Sequence, residues 1–260
     1  MLECVVNVSE GRDQSVLDQL ASSVKGDVLD VHTDPDHNRS VFTLIGEDAP
    51  RRLTAAAVRL MDISDHSGVH PRIGVVDVVP FVPLSGSTFD DTVRARNAFA
   101  TWASQELQVP CFLYGDERTL PDIRRGAWSQ LFPETDLREP HSTAGGICVG
   151  ARMPLIAYNI WLEGVDLAHA KKIAADVRSN SIRTLGLQVG EFTQVSMNLV
   201  SPEISHPADA FDAVQQYADI HHCELVGLLP RDVLFSIPEG RWESLDLAEE
   251  KTIEWRLDNR

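Results

Sequence analysis

The sequence predicts an α/β (α+β) fold built from two side-by-side ferredoxin-like βαββαβ subdomains, each with a mixed or antiparallel sheet. Three observations lead to this prediction. Apolar runs of strand length alternate with amphipathic stretches of helical period. The order β-α-β-β-α-β occurs twice, and the boundary between the two copies falls near Arg152 and Met153. We therefore expect subdomains at 1–152 and 153–260, with a ligand crevice between them.

The first half supplies the longer series of elements. Helices are predicted where apolar residues recur every three or four positions, as at Leu53, Ala56, Ala57 and Leu60, and Asp48 gives this helix a start signal. The predicted strands are 2–8, 28–32, 40–46, 73–82 and 109–114, and the predicted helices are 14–24, 50–61, 90–107 and 119–131.

The second half repeats this order of elements without repeating the residues. Gly190 and Glu191 separate two strand-like runs and predict a short turn between paired strands. Ser205 and Pro207 give a start signal for a helix whose periodic positions extend to His221. The predicted strands are 154–162, 184–189, 192–199 and 224–229, and the predicted helices are 167–177 and 207–221.

Composition and charge limit the classes of function. The chain has 260 residues, 43% of them hydrophobic, and a formal net charge of −16. Nucleic-acid-binding surfaces need clustered Lys and Arg, whereas the basic pairs here, such as Arg124-Arg125, are predicted to lie on solvated helix faces. No apolar run reaches membrane-spanning length, and the N-terminus lacks a signal-peptide pattern. We therefore expect a cytoplasmic protein that binds neither nucleic acid nor a membrane.

The turn between the first strand and the first helix has the sequence NVSEGR, residues 7–12. Asn7 and Ser9 offer hydrogen-bonding groups to a substrate, and Gly11 permits a tight turn. The same residue types are typical of a helix N-cap region, which is the simpler interpretation of this motif by itself.

A second polar segment, HTDPDHNR at 32–39, joins two predicted strands. Asp and Asn are common turn formers, which explains part of this composition. The segment contains residue types that bind divalent metals, namely His32, Asp34, Asp36 and His37. Their spacing scatters the side-chain directions, so we expect no metal site. The functional interpretation is a loop that faces a substrate, with Arg39 able to bind a carboxylate through two hydrogen bonds.

A third segment, HPRIGVVDVVPF at 70–81, places His70 and Arg72 at the start of an apolar strand. Histidine can take and return one proton near neutral pH, and Pro71 restricts the backbone of His70. A structural strand cap is the other interpretation, but a cap does not require a neighbouring guanidinium. If no acid compensates, Arg72 should lower the pKa of His70 and keep the imidazole a neutral base.

A fourth segment, EPHSTAGGICVGAR at 139–152, lies between the two halves. Its small and hydroxylic residues, including Gly145 and Gly146, would allow the backbone to approach a flat ligand closely. A flexible linker has the same composition, so the segment alone does not decide between the two interpretations.

A fifth segment, TQVSMNL at 193–199, alternates in polarity. As a strand it would direct Val195, Met197 and Leu199 to the core. The opposite face would then carry an uncharged polar row, which indicates contact with something other than bulk water; the row consists of Gln194, Ser196 and Asn198.

Together these segments resemble the formiminotransferase domain of glutamate formiminotransferases, the folate enzymes of histidine catabolism. The matching stretches, in chain order, are ECVVNVSEGR, DPDHNRSVFT, LMDISDHSGVHPRIGVVDVVPFVPL, VPCFLYG, LPDIRRG, TAGGICVGARMPLIAYNIWL, QVSMNLVS and VGLLP. They span nearly the whole chain in the order that the family has.

The resemblance implies two α/β subdomains with a folate tunnel between them, usually as a homodimer, and a shortened second subdomain in this chain. It places the family's catalytic histidine at His70 and a folate-contacting segment at about 138–146. An aspartate near the family's active site falls on His32, so either Asp34 supplies the acid instead or this role is lost. Tetrahydrofolate is implied as co-substrate, without a metal, and the cyclodeaminase that uses the product is expected to be a separate protein.

The predicted function is transfer of a formimino group between N-formimino-L-glutamate and N5 of tetrahydrofolate. His70 would act as general base and then general acid, together with Arg72 and Asp34 as catalytic residues, and Arg72 and Arg39 would hold carboxylates of glutamate. Substrate contacts are predicted for Asn7, Ser9, His32, Arg39, Ser142, Thr143, Gly145, Gly146, Gln194, Ser196 and Asn198. Two alternatives remain: formyl transfer from N-formylglutamate on the same scaffold, and a non-catalytic paralogue that binds folate or another ligand.

Overall fold

A computed structural model describes all 260 residues of the chain. They form two compact units, Met1–Met153 and Pro154–Arg260. Each unit has its own sheet flanked by helices, and each contains the element order β-α-β-β-α-β. The predicted α/β fold class is therefore confirmed.

The first unit is built on a six-stranded mixed sheet. Its strands are β1 (Leu2–Val8), β2 (Val28–Asp34), β3 (Arg39–Ile45), β4 (Val76–Pro83), β5 (Cys111–Tyr114) and β6 (Ile147–Ala151). Its helices are α1 (Gln14–Ser23), α2 (Asp48–Leu60), α3 (Phe89–Glu106) and α4 (Leu120–Gly126). The strand order is β2-β3-β1-β4-β6-β5, antiparallel from β2 to β4 and parallel from β4 to β5.

Apolar patterning and local capping explain these elements. β4 is buried along nearly its whole length, as expected for a strand with neighbours on both sides. α3 begins with a capping box in which the side chains of Thr88 and Asp91 satisfy each other's backbone N–H groups. The three longer helices contribute Leu20, Leu53 and Phe99 to one hydrophobic core with the sheet. The sheet therefore holds the loops at its ends on a rigid support.

The strand β6 was not predicted. Its residues belong to the segment 139–152, whose small side chains are equally typical of a linker, yet β6 pairs with both β4 and β5. A Cβ atom at Gly150 would overlap the ring of Tyr114. The small residue is thus required by close packing against an aromatic side chain, which composition alone does not distinguish from flexibility.

The second unit is built on a four-stranded antiparallel sheet. Its strands are β7 (Ile156–Leu162), β8 (Ile182–Val189), β9 (Phe192–Leu199) and β10 (Ile220–Val226), and its helices are α5 (Leu167–Asp176), α6 (Pro207–Gln215), α7 (Arg231–Ser236) and α8 (Ile253–Asp258). The strand order is β10-β7-β9-β8. In both units the first strand therefore lies between the third and the fourth strand of the β-α-β-β-α-β series. No helix of the protein has the length and apolarity needed to cross a membrane.

Two features of the second unit differ from the prediction. The helix expected to reach His221 ends at Gln215, because Ile220–Val226 pairs with β7 as a strand. The segment after 229, for which no element was predicted, is helical in part and buries Leu234 and Leu245 in the core of this unit. The core of the second unit therefore includes residues beyond 229, in addition to the strands and helices predicted for 154–229.

Candidate functional site

The loop before β4 is folded around a single guanidinium group. Arg72 donates hydrogen bonds to the backbone carbonyl oxygens of His66 at 2.9 Å, Gly68 at 3.2 Å and His70 at 3.3 Å. Three carbonyl contacts from one planar group hold the loop in a fixed curve. Arg72 was predicted to hold a substrate carboxylate, whereas in the structure its guanidinium shapes the loop that presents His70.

The carbonyl group of Pro71 selects one tautomer of His70. Nδ1 of His70 lies 2.8 Å from the carbonyl oxygen of Pro71. Because a carbonyl oxygen can only accept a hydrogen bond, Nδ1 carries the proton of the neutral ring, and Nε2 holds the lone pair. The local geometry therefore offers a proton acceptor at Nε2.

The surroundings of His70 favour the neutral ring. Burial, followed by the positive charge of Arg39, lowers the pKa of His70 to about 3, while the carboxylate of Asp77 partly opposes this shift. The lowering was predicted, but its attribution to Arg72 was wrong, because burial and Arg39 account for it. A nearby negative charge would bring the ring back toward the pKa range in which a general base is most effective.

The charged groups near His70 include a buried carboxylate, that of Asp77, and the two arginines that bind it. Asp77 on β4 is inaccessible to solvent and forms ion pairs with Arg39, at 2.8 Å, and with Arg124 through both carboxylate oxygens. Its Oδ1 also accepts the backbone N–H of Ile73 at 2.8 Å. Burial by itself would raise the pKa of Asp77, but the charges and hydrogen bonds of the two arginines hold that pKa well below its usual range.

Sequence reasoning missed Asp77 and assigned different roles to its partners. Arg124 was expected on a solvated helix face, which is wrong, because its guanidinium binds the buried Asp77; its neighbour Arg125 is exposed and pairs with Asp122. Arg39 was expected to grip a substrate carboxylate, and its guanidinium is bound to Asp77 instead. The available signal was an acidic residue in the middle of the apolar run VVDVVPF, where an unpaired charge would be very costly.

The NVSEGR turn contributes mainly to structure. Ser9 is buried, and its hydroxyl donates to the carbonyl oxygen of Gly74 at 2.8 Å. Asn7 accepts a hydrogen bond from Nε of Arg39 at 3.1 Å, which connects this turn with the Asp77 ion pairs. A Cβ atom at Gly11 would overlap the carbonyl oxygen of Asp34. The glycine therefore allows the backbone of the NVSEGR turn to lie close to the backbone of the turn between β2 and β3.

The turn between β2 and β3 is capped by Asp34. Oδ1 of Asp34 accepts the backbone N–H groups of Asp36 and His37, each at 2.8 Å, as in an Asx turn. Oδ2 of the same carboxylate lies 3.7 Å from Nε2 of the buried His37. His32 is half-buried on β2, opposite Val41. No group of three or more His, Cys, Asp or Glu residues is arranged to hold a metal ion.

The segment 141–146 packs directly against the strand entry that follows His70. The space beside Gly145 and Gly146 is filled by protein, since a Cβ atom would overlap the carbonyl oxygen of Ile73 or crowd the ring of Trp128. Both glycines therefore serve backbone packing in the structure. The two hydroxyl residues before them are more accessible: Ser142 is exposed and Thr143 is half-buried. Contact of any of these four residues with a ligand stays a prediction.

The polar row on β9 lies in the second unit. Val195, Met197 and Leu199 are buried, in agreement with the predicted alternation. Gln194 is also fully buried, and neither its amide nitrogen nor its amide oxygen has a hydrogen-bond partner. Ser196 is half-buried and Asn198 is exposed. A buried amide without hydrogen bonds costs free energy, so a hydrogen-bonding ligand would stabilise Gln194 more than the other residues of this row.

The first unit thus brings several predicted residues together. Arg39 links Asn7 with Asp77, and the ring of His37, beside Asp34, lies 6.0 Å from the ring of His70 between centroids. In the loop held by Arg72, Nε2 of His70 is therefore a proton acceptor surrounded by charged groups that the fold holds in place. Such a site can perform proton transfer to and from a nitrogen or oxygen of a bound anionic substrate.

Comparison with known proteins shows the family to which the chain belongs. The family described as "Formiminotransferase domain, N-terminal subdomain" matches residues 1–152, which is more than half of the chain. The chain therefore belongs to the formiminotransferase family.

Individual relatives agree with this assignment. A glutamate formimidoyltransferase of Streptococcus pyogenes serotype M1 is 34% identical over 291 residues, covering 97% of each chain, and one of Thermoplasma acidophilum is 31% identical over 91% of this chain and 90% of the relative. The formimidoyltransferase-cyclodeaminase of Sus scrofa is 32% identical over 90% of this chain, and the match spans 51% of that longer protein. The similarity thus extends beyond residues 1–152 into the second unit.

Proposed function

We propose that the protein is a glutamate formimidoyltransferase that moves a formimino group between N-formimino-L-glutamate and N5 of tetrahydrofolate, with His70 as the proton-transferring residue. The observation that carries the proposal is the 2.8 Å contact between Nδ1 of His70 and the carbonyl oxygen of Pro71, which leaves the lone pair on Nε2. Membership of the formiminotransferase family and the names of its relatives support the reaction class.

In this mechanism, N5 of tetrahydrofolate attacks the amidine carbon and forms a tetrahedral adduct. Nε2 of His70 takes the proton from N5 and returns it to the glutamate nitrogen as the bond from that nitrogen to the formimino carbon breaks. A positioned proton carrier contributes about 10² to 10⁴ in rate, and holding both substrates together contributes further. No net proton is gained or lost by the protein in one turnover.

The local charge also fits anionic substrates. The protein as a whole carries a formal charge of −16, which repels carboxylates at long range. Near His70, however, Arg39 and Arg124 share the single carboxylate of Asp77, so this group keeps a net positive charge. Glutamate and folate carboxylates would be attracted locally, within a distance comparable with the Debye length of about 8 Å.

The remaining assignments follow from the same proposal. Residues 1–152 and 153–260 would be the N-terminal and C-terminal formiminotransferase subdomains, and Asn7, His32, Ser142, Thr143 and the row Gln194, Ser196 and Asn198 would contact tetrahydrofolate or the adduct. We also propose that the protein is a cytoplasmic homodimer.

The test is an assay of glutamate release from N-formimino-L-glutamate in the presence of tetrahydrofolate. We expect release by the wild-type protein and a loss of about 10² or more in kcat for His70→Ala, with folate affinity retained. His169→Ala, on the exposed face of α5, is the matched control and should react like wild type. Release from N-formylglutamate alone would favour formyl transfer, and folate binding without release from either donor would favour a non-catalytic paralogue.

A further inference from the structure

A second histidine lies beside His70, and neither the family assignment nor the proposed reaction gives it a role. His37 is buried, with 6% of its surface accessible, and its Nε2 atom has no hydrogen-bond partner. The centroid of its ring is 6.0 Å from that of His70, with the two planes tilted by 48°. A buried polar atom without a partner costs about 1–3 kcal/mol, so the position of this side chain requires an explanation.

The backbone around His37 is fixed to the loop of His70 by several contacts. Asn38, which has a positive φ of 48°, accepts the backbone N–H of Gly11 at 2.9 Å and donates to the carbonyl oxygen of Ser67 at 3.0 Å. His66 donates from Nε2 to the carbonyl oxygen of Asn38 at 2.8 Å. The turn and the loop therefore form one rigid assembly, and the distance between the two histidine rings is a built feature of the fold.

A close approach of the two backbones strengthens this connection. A Cβ atom at Gly68 would overlap the carbonyl oxygen of His37, so only glycine permits the observed contact. Arg72 in turn donates to the carbonyl oxygen of Gly68 at 3.2 Å. The guanidinium that shapes the His70 loop thus also holds it against the turn that carries His37.

Most of the charged side chains around His70 are positive. Arg39 on β3, Arg124 on α4 and Arg72 in the loop itself are positive, and Asp77 on β4 is shared between Arg39 and Arg124. His66 belongs to the same loop and donates to a carbonyl. When His70 takes a proton, the resulting imidazolium is therefore opposed by positive charge. The turn at 34–39 brings the carboxylate of Asp34 to 3.7 Å from Nε2 of His37.

Resting on the proposed function, we propose that His37, paired with Asp34, is a positioning residue for His70: its ring packs beside the His70 imidazole and fixes its orientation, and the Asp34 carboxylate beside it stabilises the imidazolium that forms when His70 takes a proton. The Nε2–H of His37 closes on Oδ2 of Asp34 as the imidazolium forms, since hydrogen bonds at active sites tighten toward the transition state. Asp34, acting through His37, thus adds negative charge to surroundings in which the nearby arginines are positive.

Two variants separate this role from a structural one. Asp34→Asn keeps an oxygen that accepts the N–H groups of residues 36 and 37, but removes the charge. His37→Phe keeps an aromatic ring but removes both nitrogens, while His37→Gln restores an N–H group near the position of Nε2. The control pair is His169→Phe and His169→Gln on the exposed surface of α5.

The readout is glutamate release from N-formimino-L-glutamate as a function of pH, with thermal unfolding of each variant measured in parallel. For Asp34→Asn and His37→Phe we expect kcat to fall roughly tenfold with KM for both substrates nearly unchanged. We also expect the acidic limb of the kcat profile, which reports the substrate complex, to move to lower pH. His37→Gln should recover part of the loss. A loss of stability alone would lower the amount of active enzyme without moving the limb.

Wild-type activity separates the two proposals. If the wild-type protein releases no glutamate, the proposed function fails before His37 is tested. If the wild-type protein is active and Asp34→Asn has the wild-type kcat and pH profile, the role of the His37–Asp34 pair is overturned, whatever happens to His37→Phe. An equal loss in His37→Gln and His37→Phe with an unmoved acidic limb would also overturn it.

Discussion

Both units carry an acidic residue on the strand that follows their second helix, but they hold it in different ways. In the first unit, Asp77 on β4 is fully buried and is bound by the guanidinium groups of Arg39 and Arg124. In the second unit, Glu224 on β10 is half-buried and accepts hydrogen bonds from the Asn159 amide at 2.9 Å and the Trp161 indole at 3.2 Å.

Depth of burial explains the difference. A carboxylate removed completely from water loses several kcal/mol of solvation, which neutral donors alone do not replace. A carboxylate with access to solvent keeps part of its hydration, so it depends less on charged partners. The corresponding strands of two similar folds thus hold a charged centre in one unit and a hydrogen-bonded carboxylate in the other. In this protein the charged centre is the one that lies near His70.

The largest expected effect comes from removing the negative charge of each acid. Asp77→Asn leaves two guanidinium groups without a buried counter-ion and should destabilise the protein by about 3–5 kcal/mol. Glu224→Gln keeps an acceptor oxygen for Asn159 and Trp161 and should cost about 1 kcal/mol or less. Urea unfolding of the two variants measures the difference, and equal losses would contradict the explanation by burial.

A smaller effect is expected from removing one arginine at a time on α4. Arg124→Met leaves Asp77 with Arg39 as its charged partner and should cost about 1.5–3 kcal/mol. Its neighbour Arg125 pairs with Asp122 at the exposed surface, so Arg125→Met should change the free energy of unfolding by about 1 kcal/mol or less. Adjacent residues on one helix provide a matched control. Similar values for both variants would show that the Asp77 centre is not the reason for the burial of Arg124.

The smallest effect concerns pH and the neutral state of His70. The pKa of His70 is about 3 in the folded protein and about 6.5 for an unfolded histidine. Between these values the unfolded chain binds more protons than the folded protein, so stability falls as the pH decreases below about 6.5. His70→Gln should remove up to about 2 kcal/mol of this loss at pH 5, while at pH 8 this titration contributes nothing.

The pH test also distinguishes His70 from Asp77. The pKa of Asp77 is held below its usual range, so its contribution is present above about pH 4 and is lost only as the pH falls further. Burial also lowers the pKa of His66 and His222, so the difference in urea unfolding between wild type and His70→Gln at pH 8, 6 and 5 isolates the contribution of His70. Parallel curves for the two proteins would contradict the lowered pKa of His70.

Much of the fold was predictable because it depends on local patterns. The alternation over 192–199 predicted which side chains of β9 are buried, and the element order predicted two similar units. β6 could not be predicted, because Gly150 is there to admit the ring of Tyr114, a contact that no local pattern encodes. The same holds for the end of α6, which is set by the pairing of β10 with β7.

By itself, the sequence determined the α/β class, the family and the position of His70 at the start of a buried strand, because periodicity and short motifs are properties of neighbouring residues. Tertiary structure decided which charges meet. Arg39, Asp77 and Arg124 are 38 and 47 residues apart in the chain, yet one buried carboxylate binds both arginines. Likewise, the carbonyl of Pro71 and the ring of His37 acquire their relation to His70 only when loop and turn pack together. Long-range electrostatic and steric complementarity has no local signature, so these roles were decided by folding.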